Sequence, residues 1–343
     1  MSRFTMPAEW APHHGTWFSW PHNPDTWPNQ LAGAERALAF AVAALSRRER
    51  VYINVLDDAH ADHVRALLPD DTRHDALSFE RIATNDAWCR DHGAIFVTDA
   101  NGRLTALDFG FNAWGDKYPP YDLDDAVPPQ MAARLGVPVV AVDHILEGGS
   151  LDVNGAGALL TTSACLLNPN RNPQRTRREI EALLNEYLGA EQVFWLGDGI
   201  VGDDTDGHVD DITRFVAEHR VITAMEADPS DPNHRPLQEN RELLETFRLA
   251  DGRSLEVVEL PMPDALLNDG ERLPASYANF LIANGLVLVP VFGCDRDADA
   301  LAVIEGCFPG REVLGVDCRD IVVGLGTLHC LSQQIPAAAE GGG

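Results

Sequence analysis

The stretch Asp203-Asp204-Thr205-Asp206-Gly207-His208-Val209-Asp210-Asp211 sets five carboxylates and one imidazole within nine residues. Val193 to Leu196 form an apolar run before it, and Ile212, Phe215 and Val216 follow it. Both flanks read as strands. The charged stretch is then a loop held between two strands, and such loops are where binding and catalytic groups concentrate. Three readings compete for it: a solvated acidic turn, a hard-metal site, and an acid/base site with fixed anions.

Working outward, the flanking pattern repeats. Upstream, Ile180, Leu183, Leu184, Tyr187 and Leu188 give one apolar face to a helix over 174–188. Further helices are expected over 34–48, 59–68 and 125–135, with strands near 51–55, 79–83, 94–98, 104–109, 137–142 and 158–162. Downstream come a strand at 220–225, a helix at 234–249, strands at 255–260, 277–283 and 286–291, and a helix at 297–308. Residues 1–30, rich in Trp and Pro, read as irregular structure with aromatic anchors. Strands and helices interleave, several strand pairs are joined by short turns, and no Gly/Ser-rich linker divides the chain. The pattern predicts α/β or mixed α+β architecture in one domain rather than a purely parallel doubly wound sheet. No repeat is visible in the residues themselves.

The 343 residues are 45% hydrophobic and 23% charged, a globular composition long enough to bury a sizeable core. Lys plus Arg number 26 against 53 Asp plus Glu, a formal charge of −27. Such a surface repels phosphate backbones and attracts cations, which argues against nucleic acid and suits a cationic substrate; solubility or a salt-adapted host is the alternative explanation. Residues 1–10 carry no apolar signal core, and Ala37 to Leu45 is too short to span a bilayer. A soluble cytoplasmic protein with no membrane partner is expected. The six cysteines form no CxxC pair, so they read as reduced thiols.

Four loops concentrate unusual residues: Asn85 to Gly93, Glu147-Gly148-Gly149, the stretch around His208, and Gly324 to Gln334. Asp91, Glu147 and His208 lie about sixty residues apart, and Cys330 about twice that further on. Modules of that length could each present one loop at a common centre, with one module contributing none. Cys330 follows Gly324 and Gly326, which let backbone approach a ligand, so it is a candidate nucleophile; otherwise it is a buried apolar thiol. Cys89 is the alternative nucleophile. His208, between Asp206 and Asp210, reads as a histidine whose proton is held by carboxylates. A metal held by His208, Asp204 and Asp210 is the competing reading, but calcium-loop spacing is missing and zinc favours more histidine. Asp91 and Asp210 could together hold a planar cation, since a guanidinium fork matches carboxylates bidentately.

Met6 to Trp10, Trp17 to Pro21, Asn85 to Gly93, Glu147-Gly148-Gly149, Gly207-His208-Val209-Asp210, Ser276 to Asn279 and His329 to Gln334 resemble, in order, the agmatine deiminases and bacterial-type peptidylarginine deiminases of the guanidino-group-modifying superfamily. The resemblance runs from about residue 6 to 336. It implies an α/β fold in which ββαβ modules form a five-bladed, pseudo-symmetric propeller, and a single catalytic domain over 1–336; the small residues of 337–343 read as a flexible tail. It implies hydrolysis of agmatine to N-carbamoylputrescine and ammonia through an amidino-cysteine, with no cofactor and no metal, in a protein free to form a homo-oligomer. Carried onto this chain, Cys330 is the nucleophile and Asp91 and Asp210 bind the guanidinium. His208 is the acid/base, Glu147 orients and charges it, and Trp88 packs over the substrate stem. Asp204 is the further candidate substrate-binding carboxylate.

The chain departs from the family pattern at several points. His22 to Pro28 differ after the early Trp-Pro, Asp206 stands where Asn is usual, Thr327-Leu328 replaces Asn-Ile, and Asp211 and Arg214 follow Asp210. Extra Asp suits an amine at the far end of the substrate. Arg214 facing the site would suit a carboxylate, as in arginine or peptidylarginine, whereas facing outward it is an ordinary strand residue. Other small guanidines, amidino transfer to an amine, and a cation-binding protein without catalysis are the remaining alternatives.

Overall fold

The computed structural model describes residues 2–338. Its strands form five sheets of three or four strands and one two-stranded hairpin, Leu267–Asn268 with Glu271–Arg272. Each of the five sheets repeats one topology. Two strands pair antiparallel, a helix crosses over, and a third strand returns parallel to the second. A parallel return needs such a crossover, because a tight turn can join only antiparallel neighbours.

The first such sheet in chain order joins both ends of the described chain. Ser332–Pro336 pairs antiparallel with His13–Ser19. The chain passes through helix Leu31–Ser46 into Arg50–Val55, and helix Asp58–Leu67 leads to an added parallel strand, Leu77–Arg81. The second uses Ile95–Asp99, Leu104–Gly110, helix Val127–Leu135 and Val139–Ile145, with Phe4–Thr5 on its edge. The third uses Asp152–Val153, Ala158–Thr162, helix Arg177–Leu188 and Gln192–Leu196. The fourth uses Thr213–Ala217, Arg220–Met225, helix His234–Thr246 and Glu256–Pro261. The fifth uses Leu281–Ala283, Leu286–Val291, helix Arg296–Cys307 and Glu312–Asp317.

The helix Arg177–Leu188 shows how sequence sets these elements. Thr176 and Glu179 close a reciprocal capping box at its start. Ile180, Leu183, Leu184 and Leu188 are its buried face, as their spacing predicts, and Gly189 ends it at a left-handed φ of 73°.

The mixed α/β reading holds, and most expected elements fall within a few residues of their places. Residues 1–30 do not. His13–Ser19, expected to be irregular, is a strand paired on both edges. Every residue in it except His14 is buried, so the period-two alternation that reveals a half-exposed strand is missing. The strand expected over 277–283 covers only Leu281–Ala283, and Glu312–Asp317 was not foreseen. Of the tail expected over 337–343, residues 339–343 lie outside the described residues. Among the described residues no helix is long and apolar enough to cross a membrane.

Arg214 corrects both earlier readings of it. It neither points outward nor reads a substrate carboxylate: it is wholly buried. Its Nε donates to Asp152 Oδ2 at 2.5 Å, a terminal nitrogen donates to Glu9, and another donates to the carbonyls of Ala278 and Phe280 at 3.2 and 2.9 Å. The fourth module is thereby tied to the third, to the fifth, and to the segment before His13. Removing one member of a buried ion cluster leaves the others charged and unpaired. Arg214→Met should therefore lower stability to urea unfolding by about 3–5 kcal/mol. A loss below about 1 kcal/mol would mean the cluster does not hold these modules together.

Candidate active site

The candidate groups sit where the chain enters the first strand of each module. Asp91 lies just before Ile95–Asp99, Glu147 before Asp152–Val153, and His208 and Asp210 before Thr213–Ala217. Cys330 lies just before Ser332–Pro336. The spacing left one module without a contribution. That place is filled by Asn279, just before Leu281–Ala283, whose Nδ2 donates to Cys330 Sγ at 3.0 Å.

The loop at 203–211 is shaped by its own first carboxylate. Asp203 Oδ1 accepts from the Thr205 amide at 2.7 Å, and Oδ2 accepts from the amides of Gly207 and His208 at 3.0 and 3.2 Å. Asp206 and Gly207 take left-handed φ values of 69° and 92°, which turn the chain sharply. Asp203 is thus a structural staple. Asp206 turns away from the reacting groups: it accepts from Lys117 Nζ and Asn170 Nδ2, both at 2.9 Å, and from Arg171. Asp204 faces a cavity, where the Tyr118 hydroxyl donates to it.

That cavity encloses about 680 Å³. Cys330, Asp91, Trp88 and Trp114 line it, as do Asp204 and Tyr118. Trp88 is almost wholly buried and lies against Trp27, with ring centroids 5.3 Å apart. His208, Glu147 and Asp210 are completely buried beside it.

Asp91 Oδ1 accepts from the Gly149 amide at 3.0 Å and stands 3.7 Å from His208 Nδ1. Its Oδ2 accepts from Trp114 Nε1 at 3.1 Å. Asp210 Oδ2 accepts from His329 Nδ1 at 2.7 Å and stands 3.8 Å from Cys330 Sγ, while Oδ1 has no hydrogen-bond partner among the described residues. Gly149 marks the meeting point. A Cβ there would lie 2.5 Å from His208 Nδ1, 2.8 Å from Asp91 Oδ1 and 3.1 Å from Asp210 Oδ2. Only glycine fits between these three side chains.

The two carboxylates are held in different protonation regimes. Burial pushes Asp91 up to about 7, and nearby Asp210 and Glu147 add to the rise while His208 opposes it. Burial also acts against an ionised Asp210, but the hydrogen bond and charge of His329 outweigh it and hold that carboxyl below its ordinary value. Burial alone would lower the pKa of His208; the Asp91 carboxylate and the adjoining Cys165 overcome it and hold the imidazole well above its usual range. The Cys330 thiol is pushed far up by burial and by Asp210, Asp211 and Asp91. These shifts favour a neutral thiol at Cys330 and a protonated imidazole at His208.

The sequence-derived set Cys330, His208, Asp91 and Asp210 converges. Glu147 comes within 4.8 Å of His208 but makes no hydrogen bond to it. Its Oε1 accepts from Arg171 Nε at 2.7 Å, and Oε2 has no hydrogen-bond partner among the described residues. The metal set of His208, Asp204 and Asp210 does not assemble. Among the described residues the groupings with metal-ligand chemistry are Glu147, Cys165 and His208, and Asp210, Asp211 and Cys330. Cys89 is wholly buried, with its thiol pushed up to about 12 by burial, and it does not line the cavity. Sequence reasoning missed Trp114, Tyr118, Cys165 and Arg171. Glu9, Asn279 and His329 lay inside quoted motifs but had no assigned place. Glu9 accepts from His329 Nε2 at 3.0 Å as well as from Arg214, so it joins the site to the buried ion cluster.

Comparison with known proteins bears directly on this arrangement. Residues 5–336 match the family described as Porphyromonas-type peptidyl-arginine deiminase. The chain belongs to that family. The agmatine deiminase of Ectopseudomonas mendocina is 40% identical to this deiminase-family chain, over 97% of it and 96% of the relative. The structure of the Enterococcus faecalis agmatine deiminase superposes with a TM-score of 0.92 at 34% identity, covering 97% of this chain and 96% of that one. A C. jejuni agmatine deiminase with substrate bound gives 0.89 at 32% identity, covering 98% and 97%. The inosamine-phosphate amidinotransferase of Streptomyces griseus, 12% identical with a TM-score of 0.51, shares the fold.

The crowding at Gly149 is a direct test of this geometry. Gly149→Ala should cut kcat/KM for the family's reaction by about 100-fold or more, because displacing His208 or Asp91 by 1 Å misaligns the reacting groups. Near-normal kinetics in that variant would show that these side chains need not meet there.

Proposed function

We propose that this protein hydrolyses the guanidino group of a small cation, with agmatine the leading substrate. The observation that carries the reading is the Cys330 thiol and the Asp91 carboxylate lining one cavity, with Asp210 beside the thiol and another carboxylate, Asp204, facing the same space. Agmatine carries a guanidinium at one end and an amine at the other, and this arrangement offers anions to both. The relatives' names, agmatine deiminase in each case, support the same choice. The buried engagement of Arg214 weighs against arginine or peptidylarginine, since it removes the cation proposed for a carboxylate.

In this reading Asp91 and Asp210 clamp the guanidinium nitrogens, and Trp88 lies along the substrate stem. Asp204 holds the distal amine, with Tyr118 fixing the carboxylate. The arriving cation offsets the carboxylates and lowers the cost of ionising Cys330, whose proton passes to solvent. Cys330 Sγ bonds to the guanidinium carbon, the C–N bond breaks, and the departing nitrogen takes a proton from His208 to leave as ammonia. Water then adds to the amidino-cysteine, giving its proton to His208, and the C–S bond breaks to release the ureido product and the thiol. Asn279 supplies a hydrogen bond to the sulfur, and Glu147 holds charge near His208. Nucleophile, acid/base and clamp are all side chains, so the scheme draws on no metal.

Residues 1–336 act as one catalytic unit in this proposal. Five copies of one topology, each sending a group to one site, support a radial, five-bladed arrangement. The six unpaired cysteines suit a reducing compartment such as the cytoplasm.

Ammonia release from agmatine, arginine, a blocked peptidylarginine and simple guanidines tests the reading. Agmatine should be preferred, and release from none of these would overturn it. Cys330→Ser should abolish turnover while still binding agmatine, and a chelator should leave the rate unchanged. Asp91 must be ionised to clamp a cation, so kcat/KM should fall about tenfold per pH unit below about 7. A profile flat from pH 6 to 8 would remove Asp91 from that role.

A further inference from the structure

Arg171 is the best-connected side chain near the site that the proposed reaction does not use. Its side chain has no exposure to solvent. Nε donates to Glu147 Oε1 at 2.7 Å; one terminal nitrogen donates to Asn170 Oδ1 at 2.7 Å and to Asp206, and the other donates to the Thr205 carbonyl at 2.9 Å. One guanidinium therefore grips two structures at once. On one side is Glu147, which lies within 4.8 Å of His208. On the other are the two residues that follow Asp204.

The same loop is gripped from the cavity side. Lys117 Nζ donates to the Asp204 carbonyl and to Asp206, and Tyr118 donates to the Asp204 carboxylate. Asp204 cannot shift toward or away from a ligand without moving Thr205 and Asp206, and these are bonded to Arg171. Three residues of chain separate Asp204 from His208, and Asp203 binds the His208 amide. Arg171 closes this segment into a ring through Glu147.

We propose that Arg171 is a positioning residue that couples recognition of the substrate's distal cation at Asp204 to the placement of Glu147 and His208 at the reacting carbon. The inference rests on the deiminase reading and goes beyond it. Binding energy from a remote part of a substrate raises kcat only when something transmits it to the reacting groups. A planar fork bonded to both ends is suited to this, whereas a lysine ammonium could satisfy only one end at a time.

Arg171 also sets the local field. The titratable or charged side chains around His208 are Asp91, Asp210, Asp211, Asp203, Cys165 and Glu147, with Arg171 behind Glu147. Arg171 is the only cation in direct contact with Glu147 among the described residues. Withdrawing its fork from Glu147 leaves that carboxylate free to hold the proton on His208 more tightly. The limb of the kcat profile that reports His208 then moves to higher pH.

The test compares agmatine with n-butylguanidine, which lacks the amine, in the wild type, in Arg171→Lys and in Asp206→Gly. Glycine tolerates the left-handed backbone at 206 and removes the side-chain half of the loop's tether, leaving the Arg171 bond to the Thr205 carbonyl and the Arg171–Glu147 pair. Melting curves confirm folding, and Asp206→Gly serves if Arg171→Lys does not fold. In the wild type, agmatine should exceed butylguanidine in kcat as well as in 1/KM. In either variant the kcat ratio should fall by about tenfold, with the butylguanidine rate changed far less after Asp206→Gly. In Arg171→Lys the His208 limb should move up by about one pH unit. A kcat ratio equal to that of the wild type in a folded variant, or an unmoved pH limb in Arg171→Lys, would overturn the proposal. Failure of the wild type to turn over either guanidine would instead remove the deiminase reading on which it rests.

Discussion

Burying several carboxylates at one point is the constraint on which the rest of this structure depends. Asp91, Asp210, Asp211 and Glu147 are all almost or wholly inaccessible to solvent, and like charges in such a place repel one another and lose hydration. The protein answers in two ways. Asp210 is kept ionised by His329, which is also bonded to Glu9, which is bonded in turn to Arg214 and through it to Asp152. Asp91 has the His208 imidazole at 3.7 Å without a hydrogen bond, and burial carries it up to about 7. One member of the pair is thus held toward the anion and the other titrates near neutrality.

The same constraint accounts for the architecture around the site. No single loop can supply this many charged groups at contact distance without collapsing its own backbone. Five loops, each leading into the first strand of a module, can do so because each strand is fixed in a sheet of its own. The buried ion cluster at Arg214 then joins the modules and the segment before His13, so the framework and the charge balance are one network. Where the chain must pass between these groups it uses Gly149, and a single methyl group there would meet His208, Asp91 and Asp210 together.

Much of this was legible in the residues. The loops carrying Asp91, Glu147, His208 and Cys330 stand out by composition, and motif order points to the family that comparison identifies. The alternation of strands and helices gives the mixed α/β class. Other features were hidden for physical reasons. His13–Ser19 lies between two strands with almost every side chain buried, which erases the alternation that marks a strand. Asn279 is an uncharged residue in a short turn, and nothing in its neighbours signals that its amide would reach a thiol from 51 positions later in the chain.

The sequence by itself determined which groups are present: one candidate thiol in a glycine-rich loop, an imidazole among carboxylates, and a surface that favours cations. Local spacing and side-chain chemistry suffice for that, because periodicity and motif order are properties of neighbouring residues. Only the tertiary structure decided which carboxylates act as a pair, which serve as staples, and which are neutralised. Asp203, Asp204, Asp206 and Asp210 differ little as sequence, yet one caps its own loop, one faces the cavity, one holds Arg171, and one stands beside Cys330. The difference comes from partners far away in the chain. A carboxylate's charge and reach depend on burial and on the donors around it, and both are fixed only when the modules come together.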